Sequence, residues 1–234
     1  MKGPELSPRL AALAAQVPPG ARLADVGTDH AYLPVALLTE GRIAWAAATD
    51  VHRGPLERAA ETARRWGVED RVDLRLGDGL DVLAPGEADT VVLAGMGGAL
   101  MAQLIDRAPW TRAALLLLQP MSTHPELRAY LTTHGYRIER ETVVPEGARR
   151  YMILTVRGGT DAPYAPAELL AGRQRPGDRD PHRAALLDDL IRRQERALAG
   201  MAAGARPDPA ALDAARATIE GLRTMREEWS TWQR

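Results

Sequence analysis

Between residues 7 and 158, short β-branched or leucine-rich runs alternate with stretches whose apolar positions recur every three or four residues. That alternation predicts strands and amphipathic helices in turn. Ser7-Pro8 reads as an N-cap followed by a first-turn proline, with Leu10, Leu13 and Val17 at helical spacing until Pro18-Pro19-Gly20 stops the helix. Arg22 to Gly27 is the first strand, and 31–40 the next helix. Ile43 to Asp50, Val72 to Leu76, Thr90 to Ala94 and Ala113 to Gln119 read as four further strands, with helices over 54–66, 99–107 and 126–133. This order predicts an α/β fold in which a parallel sheet carries helices on both faces. Tyr136 to Val144 and Arg149 to Val156 are strand-like runs joined only by Pro145-Glu146-Gly147-Ala148, too short for a crossover helix. They are therefore expected to pair as an antiparallel hairpin.

Past Gly158-Gly159 the pattern changes. Residues 160–180 are rich in Pro, Gly and Asp and read as a linker. Two helices follow, each opened by an Asp N-cap and a first-turn proline, Asp180-Pro181 and Asp208-Pro209. Leu187, Ile191, Gln194, Leu198 and Met201 in the first helix are spaced by alternating fours and threes, and Leu212, Ala215, Ile219, Leu222, Met225, Trp229 and Trp232 nearly repeat that spacing in the second. The seam predicts a helical hairpin or short coiled coil. The expected division is a nucleotide-binding domain over 1–159, then the linker and helical hairpin over 160–234.

Composition narrows the function. Apolar residues make up 45% of the 234 positions and charged residues 26%, values of a globular chain. The longest apolar run, Ala113 to Leu118, is far short of the roughly 18 residues that span a bilayer, so no membrane association is expected. The amino terminus lacks the layout of a secretory signal, and the expected location is the cytoplasm. The absence of cysteine excludes disulfides, a thiolate nucleophile and a Cys-built zinc site, and no metal is expected. Thirty basic against 31 acidic residues rule out coating of nucleic acid by bulk charge, yet leave room for a local basic face. All the basic residues except Lys2 are arginines, which suit bidentate phosphate contacts.

The candidate chemistry lies at the ends of the strands, where open α/β sheets bind ligands. The first strand runs into Asp25-Val26-Gly27-Thr28-Asp29-His30. Asp29 stands where a dinucleotide fingerprint has its second glycine, so a pyrophosphate would be repelled and a ligand bearing an ammonium and a sulfonium would be welcome. The plain alternative is a strand-to-helix turn capped by Asp29. Asp50 closes the second strand at the distance from Gly27 where an acid accepts hydrogen bonds from ribose hydroxyls. Gly77-Asp78-Gly79 closes the third and could pair with an adenine amino group, though the tripeptide is also a common turn. Ala94-Gly95-Met96-Gly97-Gly98 ends the fourth, offering close approach to backbone groups, and Gln119 ends the fifth, expected to face the same crevice. Three acid-bearing turns in succession favour an adenosyl cofactor.

Five parallel strands closed by an antiparallel hairpin resemble the class I methyltransferase sheet, a Rossmann-like fold. The strings Asp25 to Pro34, Gly54-Pro55, Arg75 to Leu80, Ala94 to Gly98 and Leu118 to Met121 resemble the bacterial tRNA adenine-22 N1-methyltransferase family over about residues 7–157. Asp50 stands where that family usually has Glu, and Met152 follows Tyr151 where it often has an acid. The resemblance implies an S-adenosylmethionine-dependent enzyme acting on tRNA, with a helical carboxy-terminal extension. On this reading Asp25, Gly27, Asp50, Gly77, Asp78, Gly79, Ala94, Gly95 and Gln119 hold the cofactor. Asp29, His30, Tyr32, Gly95 and Met96 meet the target base. Arg9, Arg149, Arg150, Arg173, Arg175, Arg192 and Arg193 are the candidate tRNA contacts, and the expected state is a monomer. The competing readings are a methyltransferase of the same fold acting on a small molecule or protein, and a non-catalytic adaptor.

Overall fold

The computed structural model describes residues 3–204 and 206–232. The chain divides into two units, one ending at Asp161 and one beginning at Ala162. The first is built on a sheet of seven strands: β1 (Arg22–Val26), β2 (Trp45–Asp50), β3 (Val72–Leu76), β4 (Thr90–Met96), β5 (Leu115–Pro120), β6 (Tyr136–Glu146) and β7 (Arg149–Gly158). Their order is β3-β2-β1-β4-β5-β7-β6. The first five are parallel; β7 runs antiparallel to β5, and β6 antiparallel to β7. After β3 the chain returns across β1 to lay down β4, so the strand order reverses between β1 and β4, the place where such sheets open a crevice.

Leu115 to Leu118 form an unbroken buried run because β5 is covered on both faces. The helices of this unit are α1 (Pro8–Ala14), α2 (Tyr32–Thr39), α3 (Arg53–Arg65), α4 (Gly98–Arg107) and α5 (His124–Thr133). The Ser7 side chain caps α1 by accepting from the Leu10 N–H at 3.4 Å. Helix α2 is apolar all round, and Leu33 to Leu38 are all buried.

β2 and β5 each begin two residues later than the sequence suggests, at Trp45 and Leu115, and two further departures bear on the site. β4 continues past Ala94 to Met96, and its register against β5 slips between those residues, so Gly95 is a β-bulge with φ +78°. Pro145 belongs to β6 itself, opposite Arg150. The proline is tolerated because β6 is the edge strand, whose outward positions need no N–H donor. A contact of long sequence range holds this edge. Arg128 of α5 is fully buried against Glu141 of β6, its Nε 3.1 Å from Oε2, and the Met152 sulfur accepts from its Nη2 at 3.1 Å. Met152, at the position where the family often has an acid, thus meets the guanidinium while Glu141 supplies the charge. Removing either member of such a pair strands a buried ion, at about 3–5 kcal/mol.

The second unit holds α6 (Pro166–Ala171), α7 (Arg183–Ala202) and α8 (Pro209–Trp232). Arg226 of α8 pairs with Asp188 of α7 at 2.9 Å and Arg223 with Glu195 at 2.7 Å, so α7 and α8 run antiparallel. The segment read as a linker contains α6, whose Ala167 and Ala171 are buried against Leu187, Leu222, Met225 and Trp229. A Cβ on Gly221 would stand 2.9 Å from Ala167 Cβ, so that glycine admits α6 against α8. The helix escaped notice because it has only six residues amid helix-breaking neighbours. Helix α7 also begins later than its Asp-Pro pair suggests: Asp180 accepts from the His182 N–H at 2.9 Å in a turn before the helix. The seam is buried mainly at one end of the hairpin, and Met201 near its tip is exposed.

Candidate active site

A cleft of about 630 Å³ opens where β1 and β4 end, lined by residues of α1, the β1–α2 loop, the tail of β4, Met121 and Glu146. The β1–α2 loop is pinned to β2 because the Gly27 and Thr28 N–H groups both donate to the Thr49 carbonyl, at 2.8 and 3.1 Å. Gly27 has φ +75°, and a Cβ there would lie 3.0 Å from Met96 Cε. The glycine therefore serves both the turn and the approach of Met96 beneath it.

Asp25 is buried, and its carboxylate accepts from Thr28 Oγ1 at 2.5 Å. Burial pushes its pKa up to about 6, with the Thr28 hydrogen bond opposing the rise. Among the described residues no cation pairs with it. A ligand ammonium or sulfonium would supply the missing charge and hold the group ionised.

Asp29 and Ala31 both adopt left-handed backbone, at φ 49° and 53°. Helix α2 starts from Ala31 with no side-chain cap, so Asp29 is not the N-cap that its position allowed. It turns to the exposed rim, where Arg58 Nη2 donates to it at 2.7 Å and His30 Nε2 lies 3.6 Å away. The His30 and Tyr32 rings stack almost parallel, 5.0 Å between centroids.

On the β4 side, the Gln119 side chain is wholly buried and lies outside the cleft lining, contrary to the expectation that it faces the ligand. Its Oε1 accepts from the Gly95 N–H at 3.2 Å and from Arg9 Nη1 at 2.9 Å, while its Nε2 donates to the Pro120 carbonyl at 3.0 Å. A polar residue closing an apolar strand here satisfies the N–H that the Gly95 bulge releases from the ladder. Arg9, a candidate tRNA contact, lines the cleft: its backbone N–H donates to Glu146 at 3.1 Å and its guanidinium lies 5.0 Å from the Tyr151 ring centroid. Beyond the bulge, the Gly98 N–H donates to the Ser122 carbonyl at 3.0 Å, and a Cβ on Gly98 would meet the Thr123 carbonyl at 2.6 Å. His124, next in line, is held neutral: burial and the nearby Arg128 push its pKa down to about 4.

Asp50, Gly77, Asp78 and Gly79 are not in the cleft lining; they form a lip on the neighbouring strands. Val26 is level with Thr49 and Asp50 with Leu76, so Gly27, Asp50 and Gly77 succeed one another along the rim. Asp50 Oδ1 accepts from the His52 N–H at 2.9 Å. Gly77 leaves no room for a side chain, since a Cβ would stand 2.1 Å from Val82 Cγ1. Asp78 is more than half exposed and bound by Arg107 of α4 at 2.7 Å.

The structure thus gathers Asp25, Gly27, Asp29, His30, Tyr32, Ala94 and Gly95 into one cleft, with Met96 below it. Arg9, Glu146 and Met121 were missed as cleft residues because their place depends on contacts 110 or more residues apart. Of the other arginines, Arg149 and Arg150 are exposed on the β6–β7 turn beside Glu146. Arg173 is engaged internally, 2.6 Å from Glu168 and stacked over Tyr164, and Arg192 pairs with Asp189. Arg175 is half-buried in a turn, and Arg193 is exposed.

The family model described as a methyltransferase domain matches residues 6–154. The tRNA (adenine(22)-N(1))-methyltransferase of Bacillus subtilis (strain 168) is 35% identical over 171 residues, covering 72% of each chain. The chain belongs to this methyltransferase family. Among solved structures, a candidate tRNA (m1A22) methyltransferase from Streptococcus pneumoniae superposes with a TM-score of 0.85 at 28% identity, over 95% of this chain and all of that one. The same streptococcal methyltransferase in complex with S-adenosyl-L-methionine gives 0.83. The B. subtilis m1A22 tRNA methyltransferase TrmK gives 0.78 at 26% identity, over 97% of this chain and 98% of that one. This methyltransferase chain therefore shares the family's sheet; among its described residues, no helix is long and apolar enough to cross a membrane.

Proposed function

We propose that this methyltransferase transfers a methyl group from S-adenosylmethionine to N1 of adenine 22 in tRNA. The carrying observation is Asp25, buried at the β1–β4 switch point with no cation paired to it among the described residues and flanked by the positive-φ glycines Gly27 and Gly95, in a chain of the adenine-22 family. A small-molecule or protein substrate is the second reading, and nothing in the cleft favours it.

The donor supplies an electrophilic methyl group on a sulfonium, and adenine N1 already carries a lone pair at neutral pH, so the demand on the protein is positioning. Asp25 holds positive charge in place. Gly27 and Gly95 bring backbone groups to the ligand without side chains between. Asp50 reaches ribose hydroxyls and Asp78 an adenine amino group from the lip. The stacked His30–Tyr32 pair offers a ring face to the target base, and Asp29 a carboxylate to the cation that develops on it. Met96 closes the floor below Gly27, and Gln119 acts through Gly95 by holding the bulge. An adenine inside a folded tRNA must leave its stack to reach this cleft, a cost of a few kcal/mol repaid by contacts elsewhere. Arg149 and Arg150, exposed beside the cleft, supply such contacts; Arg173, Arg175, Arg192 and Arg193 are the further candidates. The enzyme works as a cytoplasmic monomer.

The test is incubation with labelled cofactor and unmodified tRNA, followed by mapping of the modified nucleotide. Label at N1 of adenine 22 is expected; cofactor binding without tRNA-dependent uptake would overturn the proposal in favour of the second reading. Arg149→Glu with Arg150→Glu should weaken tRNA binding at least tenfold and leave S-adenosylhomocysteine affinity unchanged.

A further inference from the structure

Next to the main cleft is a second hollow of about 270 Å³ between α2 and α3, lined by His30, Tyr32, Arg58, Thr62, Arg65 and Trp66. Arg58, Thr62 and Arg65 fall at helical spacing on one face of α3, and Trp66 follows as its last half-turn. His30 and Tyr32 line both hollows, so their stacked rings form the wall between them. The small hollow is therefore continuous with the place where the target base is presented.

Its chemistry is unlike that of the main cleft. The large cleft is acidic at its floor; the small one carries two guanidiniums against the single exposed carboxylate of Glu61. Arg58 is partly satisfied by Asp29, at 2.7 Å, and keeps donors free. Arg65 is exposed, and no ion pair engages it among the described residues. Guanidiniums bind phosphate through paired N–H groups, and aromatic faces bind unstacked bases. The two occur here within one compartment, less than half the volume of the main cleft, which is room for a single nucleotide and not for a run of them.

We propose that this hollow is the subsite for the nucleotide adjoining the target adenine, its phosphate held by Arg65 and Arg58 and its base laid against Trp66 and the His30–Tyr32 pair. The proposal rests on the tRNA-methylating reading above and adds to it how an extruded adenine is kept from returning to its stack: the neighbour is held on the far side of the same aromatic wall. Arg58 links the two compartments, since it holds Asp29 at the rim of one while lining the other.

The test is methylation kinetics on full-length tRNA with the wild-type enzyme and Arg65→Glu, each with unmodified tRNA and with tRNA carrying one uncharged methylphosphonate linkage on either side of the target adenosine. Arg65→Glu is expected to raise KM for tRNA about tenfold, leave S-adenosylhomocysteine affinity unchanged, and lower the slope of log affinity against log salt by about one. The neutral linkage on one of the two sides should raise the wild-type KM about fivefold and have no further effect on Arg65→Glu, the coupling that a direct contact requires. An unchanged KM for the variant, or neutral linkages that weaken variant and wild type equally, would overturn the subsite while leaving tRNA methylation intact. A wild-type enzyme that transfers no methyl group to tRNA would instead remove the underlying reading, and the subsite with it.

Discussion

The two halves of the ligand rim are built in opposite ways. At β1 and β4 the polar groups are buried and already arranged: Asp25 lies under cover, bonded by Thr28, and Gln119 holds both Gly95 and Arg9. At β2 Asp50 is half-buried, and at β3 Asp78 is exposed and engaged by Arg107. Low local dielectric makes the first half strong and intolerant of change, whereas solvent screening makes the second half weak and adjustable. On the function proposed above, the charge-bearing end of the cofactor would meet the rigid half, and its sugar and base the yielding one.

The sharpest way to break this contrast is Asp25→Asn. Cofactor affinity should fall about a hundredfold by calorimetry with S-adenosylhomocysteine, while the free protein becomes more stable. Because the folded-state pKa of Asp25 is raised, the unfolded chain gives up this proton first. Ionisation therefore removes stability as pH climbs from about 4 to about 6, and the loss is complete above pH 6. Taking the rise from 3.8 to about 6 at about 1.4 kcal/mol per unit, the variant recovers at most roughly 3 kcal/mol, or on the order of 10 °C in Tm at pH 7.5. For the wild type, cofactor affinity should fall about tenfold per unit below pH 6. A destabilised free protein would show that Asp25 is not an uncompensated acid.

Gln119→Ala comes next. It orphans the Gly95 N–H and one Arg9 donor, costing about 1–3 kcal/mol in thermal unfolding, and should lower methyl transfer about tenfold through a loosened bulge. Unchanged kinetics would mean that the bulge is held by the fold without it. Asp78→Ala, on the exposed lip, should weaken S-adenosylhomocysteine only about fivefold; a loss as large as that of Asp25→Asn would erase the distinction between the halves. The smallest effect is expected of Arg107→Ala, which frees Asp78 and should tighten the same ligand about twofold, most clearly at low salt. Weaker binding would show that Arg107 itself touches the ligand.

Local pattern made much of this readable. A strand followed by Asp-Val-Gly-Thr-Asp-His announces a turn that needs positive φ at Gly27, and Gly27 has it. The connection of a few residues after β6 leaves only a hairpin, and the hairpin is there. Other features had no local signal. Nothing near Gln119 in the chain shows that its amide faces inward to a bulge 24 residues earlier, and nothing near Arg9 shows that it reaches residues 110 and 137 positions away. Arg173 and Arg192 differ from these, since their partners Glu168 and Asp189 stand only five and three residues away, a spacing that the sequence already shows. Helix α6 is hidden because its six residues are flanked by Pro and Gly, and only packing against α7 and α8 stabilises so short a helix.

By itself, the sequence determined the strand and helix order, the hairpin that closes the sheet, the family and the positions of the acid-bearing turns. These depend on periodicity and on backbone angles that only certain residues adopt, and such preferences act over a few neighbouring residues. Which acids are buried and which exposed, which arginines remain available to an anion, and which turns share a cleft were decided only in three dimensions. Burial is a property of whatever the folded chain brings alongside, and partners such as Arg9 and Gln119, or Arg107 and Asp78, come from strands and helices far apart in the chain.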